Sequence, residues 1–257
     1  MKNMLYSIVM TFSMFSSIPM PQIPWKQENM RYLLSFLPLV GVVTGAGLLL
    51  WDWLCRLVGM GQLLYAVGLT LIPVLISGGI HMDGFCDTMD ALSSHASPEK
   101  KREILKDPRA GAFAVIFCGV YLLAYFGFAT ELTMGARTAL ILLLIHSLAR
   151  CFGAFAGMMF PGSKSTGLLA GFRDAATKKA LVALLVLAAI LVLLLGVVST
   201  RLAALLFLTG TLLTLWLRHM ANREFGGMSG DLAGFLITLT ELTMLAVFVL
   251  AGKVGAL

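Results

Sequence analysis

The sequence is short of charged residues for its length of 257 residues. Charged side chains make up 12% of the chain and hydrophobic ones 59%, whereas about 25% of the residues in a soluble domain are charged. This shortage excludes an ordinary soluble globular domain. Apolar runs of about 20 residues span a bilayer as helices, because every backbone amide must be satisfied within the segment.

Cysteine is also scarce, and its four copies form no recognisable framework. Cys55, Cys86, Cys118 and Cys151 show no Cys-x-x-Cys spacing, which excludes the common zinc-binding and redox motifs. The amino-terminal stretch lacks a small-x-small cleavage site, which argues against a cleaved signal peptide. The net charge of +6 is spread over several loops, so we predict no binding to nucleic acid and a lipid bilayer as the environment.

Seven apolar stretches approach or reach the length of a transmembrane helix. They lie near residues 33–57, 62–80, 111–130, 138–160, 180–199, 202–217 and 232–251. The sequence therefore predicts an all-α, polytopic transmembrane helix bundle of about seven spans in a single domain, residues 1–257. Hydroxyl residues interrupt an earlier apolar stretch at 4–18 and prolines follow it, so we predict an interfacial helix there, with an eighth span as the alternative.

The distribution of charge over the loops predicts the orientation of the bundle. Most of the 19 lysines and arginines fall in the amino-terminal segment and in loops 91–110, 161–179 and 218–231. Because lysine and arginine are enriched on the cytoplasmic side, we predict that these loops are cytoplasmic. Most carboxylates lie near the same side, whereas a transporter would be expected to keep its key acids near the bilayer midplane. This favours an active site on the cytoplasmic face.

The most informative local segment, at 77–91, reads SGGIHMDGFCDTMDA. Asp83, Asp87 and Asp90 have the spacing i, i+4, i+7, which places them along one stripe of a helix. Three carboxylates on one stripe repel one another unless a cation lies between them. Ligands that are all oxygen are typical of Mg²⁺, which adds water and a substrate phosphate. The alternative is a solvated helix end, which the apolar neighbours disfavour.

Three further candidates precede these aspartates. His81 could orient a carboxylate, bind metal or act as a general base toward a substrate hydroxyl. Its alternative role is structural, as a histidine that hydrogen-bonds a loop. Gly78 and Gly79 allow an unusual backbone path beside a substrate at the membrane exit, or simply close packing.

Two other polar segments lie on the same predicted side. At 106–111 the chain reads KDPRAG, in which Asp107 offers a fourth carboxylate and Arg109 a planar fork for phosphate, with a positive-inside anchor as the alternative. At 226–231 it reads GGMSGD, where Ser229 and Asp231 could form a substrate-cradling turn or a helix cap.

Two charged residues are expected within the spans themselves. Arg150 and Glu241 lie at membrane depth and are functional candidates, because burying a charge in lipid is costly. For Arg150 the alternative is snorkelling toward the interface, which its position in the middle of a span disfavours.

Taken together, these segments resemble the cobalamin synthase family, also called the adenosylcobinamide-GDP ribazoletransferases. The resemblance rests on the block at 77–91, on EILKDPRAGAF at 103–113 and on GGMSGD at 226–231. It extends from FSSIP at 15–19 to Glu241 and so covers nearly the whole chain.

Two positions depart from the family pattern. Ser17 stands where the family often has a basic residue, so no anion contact is expected there. Ala114 stands where glycine is common, which weakens any argument for a close backbone approach at that position.

The resemblance implies that adenosylcobinamide-GDP donates its cobinamide-phosphate to α-ribazole or its 5′-phosphate, with release of GMP and a requirement for Mg²⁺. It also implies the cytoplasmic (inner) membrane of a bacterium or archaeon. The metal ligands it predicts are Asp83, Asp87, Asp90 and Asp107. The catalytic residues it predicts are His81, Asp83 and Asp87. The substrate-binding residues it predicts are Gly78, Gly79, Arg109, Arg150, Ser229 and Asp231.

Two other functions remain as alternatives. A CDP-alcohol phosphotransferase would share the Asp-Gly at 83–84, but the Ala-Arg and the second aspartate pair of that signature are absent at the required spacing. A secondary transporter should show two half-chains with broken helices in corresponding positions. Only a weak Gly-Gly-x-x-x-Asp echo, at 78–83 and 226–231, suggests such a repeat. The oligomeric state is left undetermined, and a homo-oligomer is compatible with the sequence.

Overall fold

The computed structural model describes residues 2–163 and 168–255, and within these ranges it consists of helices joined by short loops, without a β-strand. The helices are α1 Lys2–Phe15, α2 Gln27–Met30, α3 Leu37–Val58, α4 Gln62–Ser77, α5 Ile80–Ser93, α6 Pro98–Ile104, α7 Ala112–Thr130, α8 Ala136–Met159, α9 Leu168–Ala175, α10 Lys178–Val198, α11 Thr200–Met220 and α12 Gly230–Lys253. A 3₁₀ turn precedes α3, and a π-helical turn, Ala221–Phe225, extends α11.

The apolar helices confirm the predicted transmembrane bundle. Among the described residues, six helices are long and apolar enough to cross a membrane, and the bent pair α4 and α5 gives a seventh span if it is counted as one. The apolar part of α1, Asn3–Phe15, is shorter than the roughly 20 residues that a span requires. This length is compatible with the interfacial helix that the sequence predicts.

The centre of the bundle is the pair α3 and α8, which make the most extensive contact in the structure. Gly41 and Gly45 of α3 lie against the backbone of α8, and a Cβ added at Gly41 would come 2.5 Å from the Cα of Ser147. Small residues spaced four apart let two membrane helices approach closely, which strengthens their van der Waals contact. The glycine spacing therefore sets how tightly this pair packs.

A sharp bend separates α4 from α5 and is the main difference from the predicted elements. The predicted span 62–80 ends as a helix at Ser77, and the axis of α5 is turned by 95° relative to that of α4. Gly78 and Gly79 form the turn with φ of +63° and +77°, values that glycine adopts without the steric penalty of a side chain. As a result, α5 packs against α7 and α12.

The predicted cytoplasmic loops lie together at one end of the bundle. Lys101 of α6 forms an ion pair with Glu224 of the π-helical turn. The Ser163 N–H donates to the Met228 carbonyl over 3.0 Å, so loop 161–179 contacts loop 218–231. The opposite ends of α7 and α12 are joined by a second ion pair. The loops that carry most of the predicted site residues are therefore gathered at one end.

Candidate functional site

The first feature of the site is the contact between α5 and the start of α12. A Cβ added at Gly84 would lie 2.7 Å from the backbone oxygen of Asp231, and one at Gly234 would lie 3.2 Å from the carbonyl oxygen of His81. Two glycines thus allow the two backbones to touch. This contact brings Asp231, which is distant in sequence, beside the aspartates of α5.

The carboxylates around this contact form one electrostatic cluster. Asp87 is half-buried, and the Coulomb repulsion of Asp83, Asp231 and Asp90 acts on it. Three like charges that act on a half-buried carboxylate favour the approach of a cation or a proton to it. The structure therefore brings Asp231, a predicted substrate-binding residue, to the predicted metal ligands Asp83 and Asp87.

Asp90 belongs to the same cluster but also holds the start of α7. The Ala114 N–H lies 3.4 Å from the Asp90 Oδ1, and a Cβ added at Gly111 would overlap the Asp90 carboxylate. A carboxylate at a helix amino terminus satisfies free N–H groups and interacts favourably with the helix dipole. Asp90 thus has a structural role here, and its metal binding stays a prediction.

Asp107 and Arg109 lie on the surface and bind each other. The Asp107 Oδ2 is 2.8 Å from the Arg109 Nη2, and the side-chain and backbone N–H groups of Arg109 hold the pKa of Asp107 at about 2. Asp107 is not among the carboxylates that act on Asp87. The structure therefore does not bring Asp107 into the cluster, and the Arg109 side chain is 87% exposed.

His81 lies on the inner side of the same helix. It is buried, its ring stacks on Phe15 at a centroid distance of 6.0 Å, and neither ring nitrogen has a hydrogen-bond partner among the described residues. The charged groups that act on it are Arg150 and Glu241. His81 therefore faces the buried pair of Arg150 and Glu241 electrostatically, and its role as a base stays a prediction.

Arg150 and Glu241 form an ion pair inside the bundle. The Arg150 Nη1 donates to the Glu241 Oε1 over 2.6 Å, and the two side chains are 1% and 7% exposed. His146 Nδ1 lies 2.8 Å from the same oxygen, and His146 Nε2 lies 3.1 Å from the Tyr125 hydroxyl. Because each charge has a partner of opposite sign, the two charged residues can be buried within the bundle. His146 was not predicted, although it lies four residues before Arg150 and so on the same helix face.

Two cavities open beside the aspartate cluster. An apolar groove of about 850 Å³ between α4, α5 and α7 is lined in part by Gly78, Gly79 and Asp83. A second cavity, of about 270 Å³, is lined in part by Ser229 and Asp231. Three basic residues that also line the second cavity were not predicted as site residues, because the positive-inside rule is enough to explain their presence in these loops. They are Arg102, Lys106 and Arg173.

Ser229 has a clear local role at the edge of this second cavity. Its Oγ accepts from the Leu232 N–H over 3.2 Å and so caps α12. The cap is therefore supplied by Ser229, and Asp231 lies in the first turn that follows. Of the two residues for which a helix cap was an alternative role, Ser229 is therefore the cap and Asp231 is not.

Carboxylate oxygens are the ligands that a hard divalent cation prefers. The described carboxylates at this site do not, however, form a complete coordination shell. Within the described ranges, no three side chains of His, Cys, Asp or Glu are grouped closely enough to hold a metal ion. Mg²⁺ does not require a complete shell of protein ligands, because it commonly binds through one or two carboxylates plus water and substrate phosphates. One or two of the carboxylates of Asp83, Asp87 and Asp231, completed by water and a substrate phosphate, therefore suit this ion.

The fold and the site define a class, that of helical membrane proteins with a carboxylate cluster and two cavities at one end of the bundle. Comparison with known proteins assigns the family within that class. The chain belongs to the cobalamin-5-phosphate synthase family, whose model matches residues 7–249. This result confirms the resemblance that the motifs indicated.

Several curated relatives cover nearly the whole chain. An adenosylcobinamide-GDP ribazoletransferase of Lachnoclostridium phytofermentans is 41% identical over 252 residues, which is 97% of this chain and 96% of the relative. Proteins of the same name from Pseudomonas fluorescens and Clostridium botulinum are 37% identical over 90% of this chain and 29% identical over 94%; the matches cover 93% and 96% of those relatives. No solved structure matches the chain.

Proposed function

We propose that the protein is an adenosylcobinamide-GDP ribazoletransferase that joins the cobinamide-phosphate of its donor to α-ribazole or α-ribazole 5′-phosphate and releases GMP. The relatives of this name support the proposal, since they match the chain over almost its full length. The observation that carries it is the contact of Asp231 with the α5 segment of Asp83 and Asp87. That contact joins the family's two most distinctive motifs in one place.

The reaction requires one bond to form and one to break at the same phosphorus. The oxygen of an acceptor hydroxyl attacks the phosphorus that carries cobinamide, and the bond from that phosphorus to the bridging oxygen breaks. GMP leaves with the bridging oxygen, and the hydroxyl proton passes to a base. In phosphoryl transfer most of the catalysis comes from positioning and from charge neutralisation. Asp87, half-buried among like charges, is the best-placed carboxylate to accept that proton.

A divalent cation is the second part of the proposal. Mg²⁺ held by Asp83 or Asp231, with water and the substrate completing its coordination, would neutralise charge on the donor's phosphates and leave Asp87 to accept the proton. Three of the predicted substrate-binding residues have structural roles that do not involve a metal. Gly78 and Gly79 form the turn that lines the apolar groove, and Ser229 caps the start of α12. The groove beside Asp83 has the volume and the apolar lining to contact part of a corrinoid.

The position of the site in the cell follows from loop charge. The loops that surround the site carry most of the lysines and arginines, so we place the site on the cytoplasmic face of a bacterial inner membrane. The nucleotide donor and the released GMP are charged and water-soluble, which is consistent with a site that opens to the cytoplasm.

The direct test uses the full chain in lipid nanodiscs with adenosylcobinamide-GDP, α-ribazole and Mg²⁺. We expect GMP and adenosylcobalamin in equal amounts, both measured by chromatography, and no GMP release when α-ribazole is omitted. EDTA should stop the reaction, and added Mg²⁺ should restore it. GMP release that does not depend on an acceptor, or none at all, would contradict the proposed transfer.

A matched pair of variants connects this activity to the site. Asp87→Asn removes one charge from the cluster, and Glu103→Gln removes one charge from an exposed residue of α6 whose side chain is 63% accessible. We expect the first to lower GMP release by orders of magnitude and the second to leave it unchanged. Equal activity of the two variants would argue against catalysis at the aspartates.

A further inference from the structure

The second cavity, of about 270 Å³, has a basic lining that the reaction scheme above does not use. Arg102 of α6, Lys106 just after it and Arg173 of α9 reach this cavity from two sides. Among the described residues that line it, the remaining charged one is Asp231, which also belongs to the aspartate cluster. The cavity therefore lies next to the aspartates and carries an excess of positive charge.

The walls of this cavity are held in place by contacts on both sides. Buried Lys101 pairs with Glu224, and the Arg102 Nη1 donates to the Phe225 carbonyl over 3.2 Å. These contacts fix α6 to the π-helical turn that precedes the 226–231 segment. The Arg102 side chain is therefore already restrained before a ligand binds, so anion binding costs less side-chain conformational entropy.

The opposite wall depends on a close backbone approach. The Met228 N–H donates to the Pro161 carbonyl over 2.8 Å, which ties loop 226–230 to the residues after α8. A Cβ added at Gly227 would lie 2.6 Å from the Ser163 nitrogen, and its φ of +139° is one that side-chain residues rarely adopt. The glycine at this position therefore allows the wall to close.

The basic side chains are only weakly neutralised by protein carboxylates. Arg102 pairs with Glu99, whose side chain is 72% exposed, and Arg173 lies 3.8 Å from Asp174. Lys106 forms no ion pair in the described part of the chain. The carboxylate of each pair is exposed to solvent, which weakens the pair, so much of the positive charge remains available to an anion. Two of them are arginines, whose planar guanidinium groups match phosphate oxygens in bidentate fashion.

We infer that this cavity binds the guanosine nucleotide part of the donor through its phosphates, with Arg102, Lys106 and Arg173 as the positioning residues. The inference rests on the proposed function and adds a location for the leaving group. The cavity is near the lower limit of about 300 Å³ for ligand sites, so it suits a phosphate-bearing part of the donor and not the corrinoid. Because Asp231 borders both regions, the bond to be broken would lie between the cavity and the aspartates.

The same phosphate chemistry could come from the acceptor, since α-ribazole 5′-phosphate also carries a phosphate. The two sources differ in which KM the cations control. Binding of the donor nucleotide predicts an effect on the KM of adenosylcobinamide-GDP and on inhibition by GMP. Binding of the acceptor phosphate predicts an effect only on the KM of α-ribazole 5′-phosphate.

The experiment measures GDP binding to the full chain in nanodiscs with Mg²⁺, so it does not depend on turnover. Arg173→Gln and Lys106→Gln remove cavity cations, and Lys179→Gln removes an exposed cation of α10 as the matched control. We expect each cavity variant to weaken GDP binding about tenfold or more, since hydrogen bonds to charged groups have that strength. The control should bind like the wild type, and Arg173→Lys should recover part of the loss.

Turnover measurements then separate the two proposals. The cavity variants should raise the KM for adenosylcobinamide-GDP and the inhibition constant of GMP by similar factors, with the KM for α-ribazole 5′-phosphate unchanged. Wild-type GDP affinity in both cavity variants, or a rise confined to the acceptor KM, would overturn the cavity assignment. If the wild type releases no GMP from the donor but binds GDP through these cations, the proposed transfer fails and the nucleotide site stands.

Discussion

The buried ion pair of Arg150 and Glu241 gives a prediction whose size follows from the structure. Glu241→Gln keeps the shape of the side chain but leaves the Arg150 charge without its partner, in a place where the two side chains are 1% and 7% exposed. Breaking a buried pair by neutralising one member costs about 3–5 kcal/mol. For a protein of this size about 1 kcal/mol lowers the Tm by about 2–4 °C, so we expect a decrease of about 6–20 °C.

The assay is thermal unfolding of the detergent-solubilised protein, followed by loss of helical circular dichroism. The matched control is Glu131→Gln, which removes the same charge from an exposed pair with Lys253 and should cost at most about 1 kcal/mol. The double variant Arg150→Met with Glu241→Leu should regain much of the lost stability, because replacing both members of a buried pair by apolar residues is often neutral. Equal Tm values for Glu241→Gln and Glu131→Gln would refute the reasoning.

Three further predictions concern the site and its orientation. Asp231→Asn should abolish GMP release without lowering the Tm, because Ser229 supplies the α12 cap; full activity would leave Asp231 without a role at the site. Gly84→Ala should lower both activity and Tm, because its Cβ would lie 2.7 Å from the Asp231 oxygen, and an unchanged Tm would contradict that close contact. Cysteines introduced into loop 91–110 should react with an impermeant reagent only when it is added on the cytoplasmic side. Reaction from the outside would show that the loop lies there and would contradict the predicted orientation.

The sequence was sufficient to predict six of the seven spans and a common side for the two aspartate segments, but it did not predict the bend between α4 and α5. Apolar length determines where helices can cross lipid, and loop charge placed Asp231 on the same side as Asp83 and Asp87. The close contact between them depends on Gly84, which the sequence analysis did not single out. Glycine is frequent in this chain, with 26 copies, so its position alone does not distinguish a helix contact from a turn.

Side-chain partners were less predictable than backbone positions. The i, i+4, i+7 spacing places Asp90 on the stripe of Asp83 and Asp87, but the free N–H groups at the start of α7 compete for its carboxylate. Arg150 and Glu241 are 91 residues apart, and their pairing depends on how α8 and α12 pack. A local pattern describes one helix, whereas these contacts arise between helices.

The bend between α4 and α5 has a consequence for the order in which the chain assembles. The carbonyls of Leu75 and Ile76 at the end of α4 accept hydrogen bonds from the Ser17 hydroxyl and N–H over 2.7 and 2.9 Å. Without this partner, two backbone acceptors at the membrane boundary would depend on water. Residues 16–18 are synthesised before α4 and are therefore available when it inserts. A circular permutation that moves them to the carboxyl end would delay completion of the bend until synthesis is finished, and would slow maturation of the site without changing one of its side chains.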